Sequence, residues 1–531
     1  MLKHNVELLA PAGKMEVLQA VADAGADAVY IGGKNFNMRM LRSDFNFSEE
    51  EIIQASYILH EQGKKLYVTV NNLYCDQEMN LLADYLFFLE QADVDALIVQ
   101  DPGVAWLVRE MDLRIPLHAS VQMGVSSSEA VNLLQEQGFR RVILSKNLSL
   151  EEIRSIYKHS KLDIEYFVHG DLCISHAGQC WMSSFLAGAS GNRGMCRKPC
   201  RWPYQFRIQE NAVPEGFYYW LAHHDLCLYP YLSELVQAGV SSLKIEGRMR
   251  EASYLRHIVS IYREALDRMA ADGDAYTMNE EAWSELQEHR VRNYTAGSLL
   301  GRTGPESIGY DGKREPPFPT AALPLTPILR DLSEDKRDNG IESSLDIPII
   351  SVKVANPEAA QQAIDAGADR LIFGLENLRQ LRFAWNEESL QAIIEDACRK
   401  EVDCYLELPR IVTQQERSKM NNWLSLAEKV GADGVIVHEW GSFYYFTRHT
   451  RIDVQAGSGL NLCNQKAIDW VMEQGASSVS LSLELPGEHI LSALSAVHPL
   501  EVYVQGPLFG MVMDYCLPGA AYGVENHTSC T

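Results

Sequence analysis

The sequence predicts a (β/α)8 barrel followed by a second, degenerate barrel-like repeat. Three observations predict it. Eight short β-branched apolar runs alternate with helical stretches over the first 275 residues, polar residues gather at the C-terminal ends of those runs, and the first half recurs in order after residue 350. The runs are Glu7–Ala10, Ala28–Gly32, Leu66–Asn71, Ala96–Gln100, Pro116–Val121, Arg141–Ser145, Glu165–His169 and Ser242–Glu246. Stretches such as Glu16–Val21 lie between them with helical periodicity. Gly25-Ala26-Asp27 closes a helix on a glycine and opens a strand. Eight such alternations favour a closed barrel over an open doubly wound sheet. No Gly-x-Gly-x-x-Gly follows the first run, which argues against a dinucleotide site.

In a barrel, chemistry belongs at the C-terminal rim. Asn71, Asn72, Gln100, Asp101, His118, Gln122, His169, Glu246 and Arg248 all fall there. Helix capping and turn closure account for some of these; their accumulation on one face carries the information.

The texture changes between Thr303 and Asp346, where Pro316-Pro317-Phe318-Pro319, Pro324 and Pro327 precede the charged stretch Arg330–Arg337. This reads as a linker. Beyond it Ala359–Asp369 echoes Val17–Asp27, Asp433–Val437 echoes Asp95–Val99, and Val504–Leu508 echoes Val168–Leu172. The division expected is a catalytic barrel over 1–275 with a cysteine segment at 165–227, a small appended element and linker over 276–346, and a divergent repeat over 347–531. In the repeat Phe509 stands opposite Cys173 while Cys516 stands opposite Cys180, so part of the cysteine set is lost. The chain stops before any counterpart of the Lys244–Arg248 strand, and the second barrel therefore reads as truncated.

Apolar residues make up 46% and charged residues 22% of the 531, ordinary for a globular protein. No apolar run reaches membrane-spanning length, and the start enters a strand without a signal-peptide core. A cytoplasmic protein is expected. The formal charge of −24 argues against broad adhesion to nucleic acid but permits a local basic site.

In a reducing compartment, clustered cysteines read as metal-binding or catalytic before they read as disulfides. Cys173, Cys180, Cys196, Cys200 and Cys227 crowd one segment among Gly, Arg and Trp. Four thiolates suit a [4Fe–4S] cluster, each iron of which takes a terminal sulfur. Zinc is the inorganic rival, but the paired C-x2–4-C knuckles are absent. Buried free thiols and a nucleophilic cysteine beside His169 or His176 are the remaining readings.

The run Glu165-x-Phe167-x-x-Gly170-x-Leu172-Cys173-x4-Gly178-x-Cys180-x-Met182-Ser183 resembles the signature of the collagenase-like proteins of peptidase family U32. Glu7–Gly13, His118–Met123 and Ser242–Met249 look like that family as well. Asp171 departs from it, since the pattern has Ser or Ala there. The resemblance implies an oxygen-independent hydroxylase carrying a [4Fe–4S] cluster. Such an enzyme modifies a pyrimidine in tRNA or rRNA, with prephenate as oxygen donor; alternatives are a quinone-pathway hydroxylase or the collagenase-like peptidase of the family's title. The ligands it implies are Cys173, Cys180 and Cys196 with a fourth from Cys227 or Cys200, of which Cys227 is preferred because it precedes the returning strand.

The residues themselves speak against proteolysis: neither His-Glu-x-x-His nor Gly-x-Ser-x-Gly occurs. For a hydroxylase, Arg39, Lys244 and Arg248 suit the carboxylates of an anionic donor. Asn71 and Gln122 complete the cofactor-side rim, and Glu246, His118 and His169 are the groups able to move protons. A plain alternative for Lys244 and Glu246 is an ion pair bracing the barrel. Arg193, Arg197, Lys198, Arg201, Trp202 and Tyr204 are candidates for RNA phosphate contact and base stacking, or simply a loop solvated around the cluster. The degenerate repeat is a candidate surface for a partner protein.

Overall fold

The computed structural model describes residues 6–205, 207–208, 211–212, 218–312, 348–375, 385–493, 498–517 and 520. Strands β1 (Glu7–Pro11), β2 (Ala28–Gly32), β3 (Lys65–Val70), β4 (Ala96–Val99), β5 (Leu117–Ala119), β6 (Arg141–Ile143) and β7 (Asp163–Gly170) pair in parallel and in sequence order. The chain then leaves through β8 (Ser175–Cys180), the two-residue strands β9 (Arg207–Ile208) and β10 (Asn211–Ala212), and β11 (Asp225–Cys227). It returns as β12 (Ser242–Ile245), which pairs in parallel with both β1 and β7. That double pairing closes an eight-stranded barrel. The cysteine segment is thus an excursion between its last two strands, leaving from the C-terminal end.

β11 runs antiparallel to the end of β7, and β13 (Tyr294–Thr295) adds to β11. The β element expected as an appendage therefore extends the barrel's own sheet. Residues 313–347, most of the proline-rich linker, lie outside the described residues.

The second repeat holds β14 (Ser351–Val354), β15 (Arg370–Gly374), β16 (Asp403–Glu407), β17 (Gly434–Val437), β18 (Asp453–Ala456), β19 (Ser478–Ser480) and β20 (Leu500–Glu501). They pair in parallel and in order, and among the described residues nothing joins β14 to β20. It is an opened barrel. A last strand, β21 (Met511–Met513), crosses to pair antiparallel with β8.

The two repeats share one device at the side-chain level. Asp27 and Asp95, each standing just before a strand, accept the backbone N–H of Leu8 and Leu66 at 2.8 and 2.7 Å. Asp369 and Asp433 do the same for Ile350 and Cys404 at 2.7 and 2.8 Å. Each carboxylate satisfies a donor at the start of the neighbouring strand and fixes its register.

The repeats meet crosswise. Helix Pro102–Glu110, after β4, packs on Gln465–Glu473, after β18; helix Ser128–Glu136, after β5, packs on Trp440–His449, after β17. The fourth helix of each repeat lies on the fifth of the other, as in a two-fold dimer. The helix caps take part: Asn464, which caps Gln465–Glu473, also donates to Asp101, the cap of Pro102–Glu110, at 2.8 Å.

Inside the first barrel the lower layer is charged. Glu165, fully buried, accepts Lys244 at 2.7 Å and Arg141 at 3.2 Å, while Arg141 also reaches Glu7. Tyr67 donates to Glu7 at 2.7 Å, and the Lys244 ammonium lies 4.3 Å from the centre of the Tyr30 ring. Buried charges are tolerated only when paired and hydrogen-bonded, and here each has two or more partners.

Candidate active site at the barrel mouth

Above that layer β12 is followed by Glu246-Gly247-Arg248. Arg248 is 6% exposed. It donates from Nη2 to the Oδ1 of Asn37 at 2.9 Å and from Nη1 to the hydroxyl of Thr69 at 3.3 Å. Among the described residues no carboxylate pairs with it. Burial, followed by the nearby Arg39, brings its pKa down to about 10. The guanidinium fits because β2 ends in glycine: a Cβ on Gly32 would stand 2.1 Å from Arg248 Nη1.

Arg39 pairs instead with Glu246, Nη2 to Oε1 at 3.2 Å. Burial raises the pKa of Glu246, but Arg39 together with Lys146 and Lys198 outweighs it, so the carboxylate is held below its usual range and ionised. Glu246 also accepts the N–H of Asp171 at 3.4 Å. Gly170, at φ +111°, lets β7 come this close, since a Cβ there would meet the Glu246 carbonyl at 2.6 Å.

The other candidates divide by depth. Lys244 is 3% exposed and tied to Glu165 in the charged layer, the bracing pair rather than a group open to ligand. His118 is buried edge-on against Tyr67, ring centres 4.8 Å apart, in the same layer; burial, then Arg141 and Lys244, hold it neutral. His169 is 2% exposed and turned onto Tyr262 and Tyr254 of helix Ala252–Asp272 at 3.3 and 3.5 Å. Burial, then Arg250, brings its pKa down to about 3. Asn71 accepts the N–H of Met38 at 3.2 Å, holding the loop that carries Arg39, and Gln122 lies half-buried in the turn Val121–Met123 after β5.

Cys173, Cys180, Cys196 and Cys200 are neighbours. Burial raises the thiol pKa of Cys180 to about 12 and pushes those of Cys196 and Cys200 up, and in each case the Cys173 sulfur adds to the rise. Cys196 Sγ accepts the N–H of Lys198 at 3.3 Å, and Cys180 Sγ accepts that of Met182. Arg39 is influenced by both Cys173 and Cys196, so the thiols stand beside the mouth cations. The donor set is therefore sulfur-rich and supplied with backbone N–H groups, as a cluster site requires. Among the described residues, however, no three His, Cys, Asp or Glu side chains converge closely enough to hold a metal ion as they stand.

Cys227 lies elsewhere. It is 3% exposed on β11, with Sγ 3.7 Å from the Tyr262 hydroxyl, and its electrostatic neighbours are Tyr262 and Asp225 rather than the other thiols.

Asp171, the departure from the family pattern, is a site residue that spacing did not reveal. It takes Lys198 at 2.7 Å, Arg201 at 2.9 Å and Arg292 at 2.7 Å. Burial opposes ionisation, but the three cations hold its carboxyl well below the usual range. Two of the cations proposed for RNA phosphates are thus used inside the loop, and Arg193 is paired with Glu78 at 2.9 Å. Trp202 is 5% exposed and so is no open stacking platform, while the half-buried Tyr204 donates to the Pro199 carbonyl at 2.8 Å.

The tRNA hydroxylation protein P1 of Bacillus subtilis is 34% identical over 306 residues, 56% of this chain and 72% of the relative. An uncharacterized protease of Methanocaldococcus jannaschii is 38% identical over 302 residues, 55% of this chain and 72% of that one. The 23S rRNA 5-hydroxycytidine C2501 synthase of Escherichia coli is 37% identical over 265 residues, 50% of this chain and 40% of the relative. No helix among the described residues is long and apolar enough to cross a membrane. Residues 13–309 and 355–531 match peptidase family U32, covering both repeats, and the chain belongs to that family.

Proposed function

We propose that the chain is an iron–sulfur-dependent, oxygen-independent hydroxylase acting on a pyrimidine of tRNA or rRNA. Relatives named for tRNA hydroxylation and for rRNA hydroxycytidine synthesis support the reaction class. The observation that carries the reading is the group of four thiols beside the cations of the barrel mouth. Cys173, Cys180 and Cys196 would hold the cluster, and Cys200, which stands among them, is a better-placed fourth ligand than Cys227. When bound, a [4Fe–4S] cluster supplies the electron transfer that hydroxylation without dioxygen requires.

The chain's own residues do the rest. Arg248, held in orientation by Asn37 and Thr69, binds a carboxylate of the oxygen donor in a bidentate fork; prephenate, a dicarboxylate, fits that requirement. Arg39 secures Glu246 in its ionised form, and Glu246 takes up the proton that leaves the ring carbon. The buried surroundings of Arg248 keep water from competing for the donor.

The test is comparison of modified nucleosides in RNA from cells with and without the protein, alongside their anaerobic quinone content. Loss of one hydroxylated pyrimidine supports the reading. An unchanged RNA profile with altered quinones would replace it with the quinone branch.

A further inference from the structure

We infer that the second repeat is a clamp that sets the spacing of the thiols, with Glu484 and Asn461 as its positioning residues. β21 pairs antiparallel with β8, Met511 opposite Cys180 and Met513 opposite Ser175. Trp181 N–H donates to the Gly510 carbonyl at 2.9 Å, and the Ser175 hydroxyl donates to the Val512 carbonyl at 3.0 Å. These two strands occupy the same place in the two repeats, because Phe509 stands where Cys173 stands and Cys516 where Cys180 stands. The copy that lost part of its cysteine set is the strand that supports the copy that kept it.

Glu484 lies in the loop after β19 and is 6% exposed. Its Oε2 accepts the Ser184 hydroxyl at 2.6 Å, its Oε1 accepts the Asn192 amide at 3.1 Å, and Ser190 is a third partner. Ser184 follows Cys180 by four residues and Asn192 precedes Cys196 by four. One carboxylate thus ties both ends of the loop between the two thiols. Asn461 donates to the Gly178 carbonyl at 2.7 Å, from a backbone at φ +57° that asparagine tolerates and most residues do not. Gln179 donates back to the Gly459 carbonyl at 2.7 Å. A ligand loop is only as well ordered as the shell that holds it, and here that shell comes from the other repeat.

The inference rests on the hydroxylase reading only for what the thiols are for; the positioning is measured on cluster-free protein. The full chain and its Glu484→Ala, Glu484→Gln and Asn461→Gly variants would be reduced, treated with N-ethylmaleimide, and followed cysteine by cysteine by mass spectrometry. Glu484→Ala is expected to speed labelling of Cys180 and Cys196 about ten-fold, the equivalent of losing one charge-assisted hydrogen bond. Cys404, buried in the second repeat, keeps its rate, and Glu484→Gln, which preserves shape and one acceptor, restores part of the protection. Asn461→Gly keeps the backbone conformation and decides the matter if Glu484→Ala loosens the whole fold. A selective rise at Cys180 and Cys196 supports the clamp, and unchanged rates there overturn it. A protein without any cluster would still give the first result, so the two readings fail separately.

Discussion

The Nη2 of Arg248 donates to the Oδ1 of Asn37 at 2.9 Å, so a buried cation at the barrel mouth is held by a neutral amide and not by a carboxylate. A desolvated guanidinium with no carboxylate directly paired to it is costly to the fold and suited to an incoming anion. Arg248→Gln should therefore weaken binding of a dicarboxylate donor about 10- to 100-fold, the range of a charged hydrogen bond. Thermal stability should hold or rise. Calorimetric titration of prephenate against the two proteins checks it, and equal affinities would remove Arg248 from the donor site.

Lys244 lies four residues earlier, in β12, and is predicted to behave in the opposite way. Its ammonium pairs with Glu165 in the charged layer. Lys244→Met leaves that carboxylate with Arg141 as its remaining cation, and the loss of one partner from a buried pair costs about 3–5 kcal/mol. Urea unfolding of the variant measures this directly. A change under about 1 kcal/mol, the range of an exposed pair, would show that the layer is solvated.

Asp171→Ser restores a small residue of the family pattern and removes the carboxylate that Lys198, Arg201 and Arg292 share, leaving Arg292 with Asp225 and Arg201 with the His223 carbonyl. The segment between Cys196 and Arg201 should then become sensitive to limited trypsin digestion. Retention of the wild-type digestion pattern would mean that the contacts to Asp225 and the His223 carbonyl hold the loop without Asp171.

A pH dependence is expected at the seam between the repeats. Burial raises the pKa of Asp101 to about 6 and that of Glu439 to about 7. A carboxyl whose folded pKa lies above its unfolded value contributes stability that is complete below the unfolded pKa and is lost as pH rises through the folded one. The protein should thus lose stability between about pH 4 and pH 7 through these two groups. Glu439→Gln should raise the Tm at pH 8 and leave it nearly unchanged at pH 4. A uniform shift at both pH values would point to lost helix capping instead.

The strands were legible because each is a short β-branched run bounded by a turn, and the repeat because the Gly-Ala-Asp corner recurs. Those aspartates, and Asp95 in an Asp-Val-Asp corner, prove to have one task, tying the neighbouring strand. Side-chain direction was less accessible. Alternation along β7 puts His169 on the same face as Glu165, toward the interior. The pairing with β12 slips by one residue between Lys244 and Ile245, and His169 instead faces Tyr254 and Tyr262. Cys227 pairs with His169 across β11 and faces the same helix, which no spacing of cysteines reveals. Depth within the barrel was equally hidden. Lys244 and Arg248 read alike as rim cations, yet β12 ends between them at Ile245, the chain turns at Gly247 (φ +154°), and of the two only Arg248 reaches the mouth.

Cys173, Cys180, Cys196 and Cys200 are proposed to hold an iron–sulfur cluster. The most direct test is the iron content and visible absorption of anaerobically purified protein, compared with Cys173→Ala, Cys180→Ala, Cys200→Ala and Cys227→Ala. The expected result is a brown, iron-containing protein that loses iron and colour in the first three variants and keeps both in Cys227→Ala. A colourless, iron-free wild-type protein with full activity would contradict it.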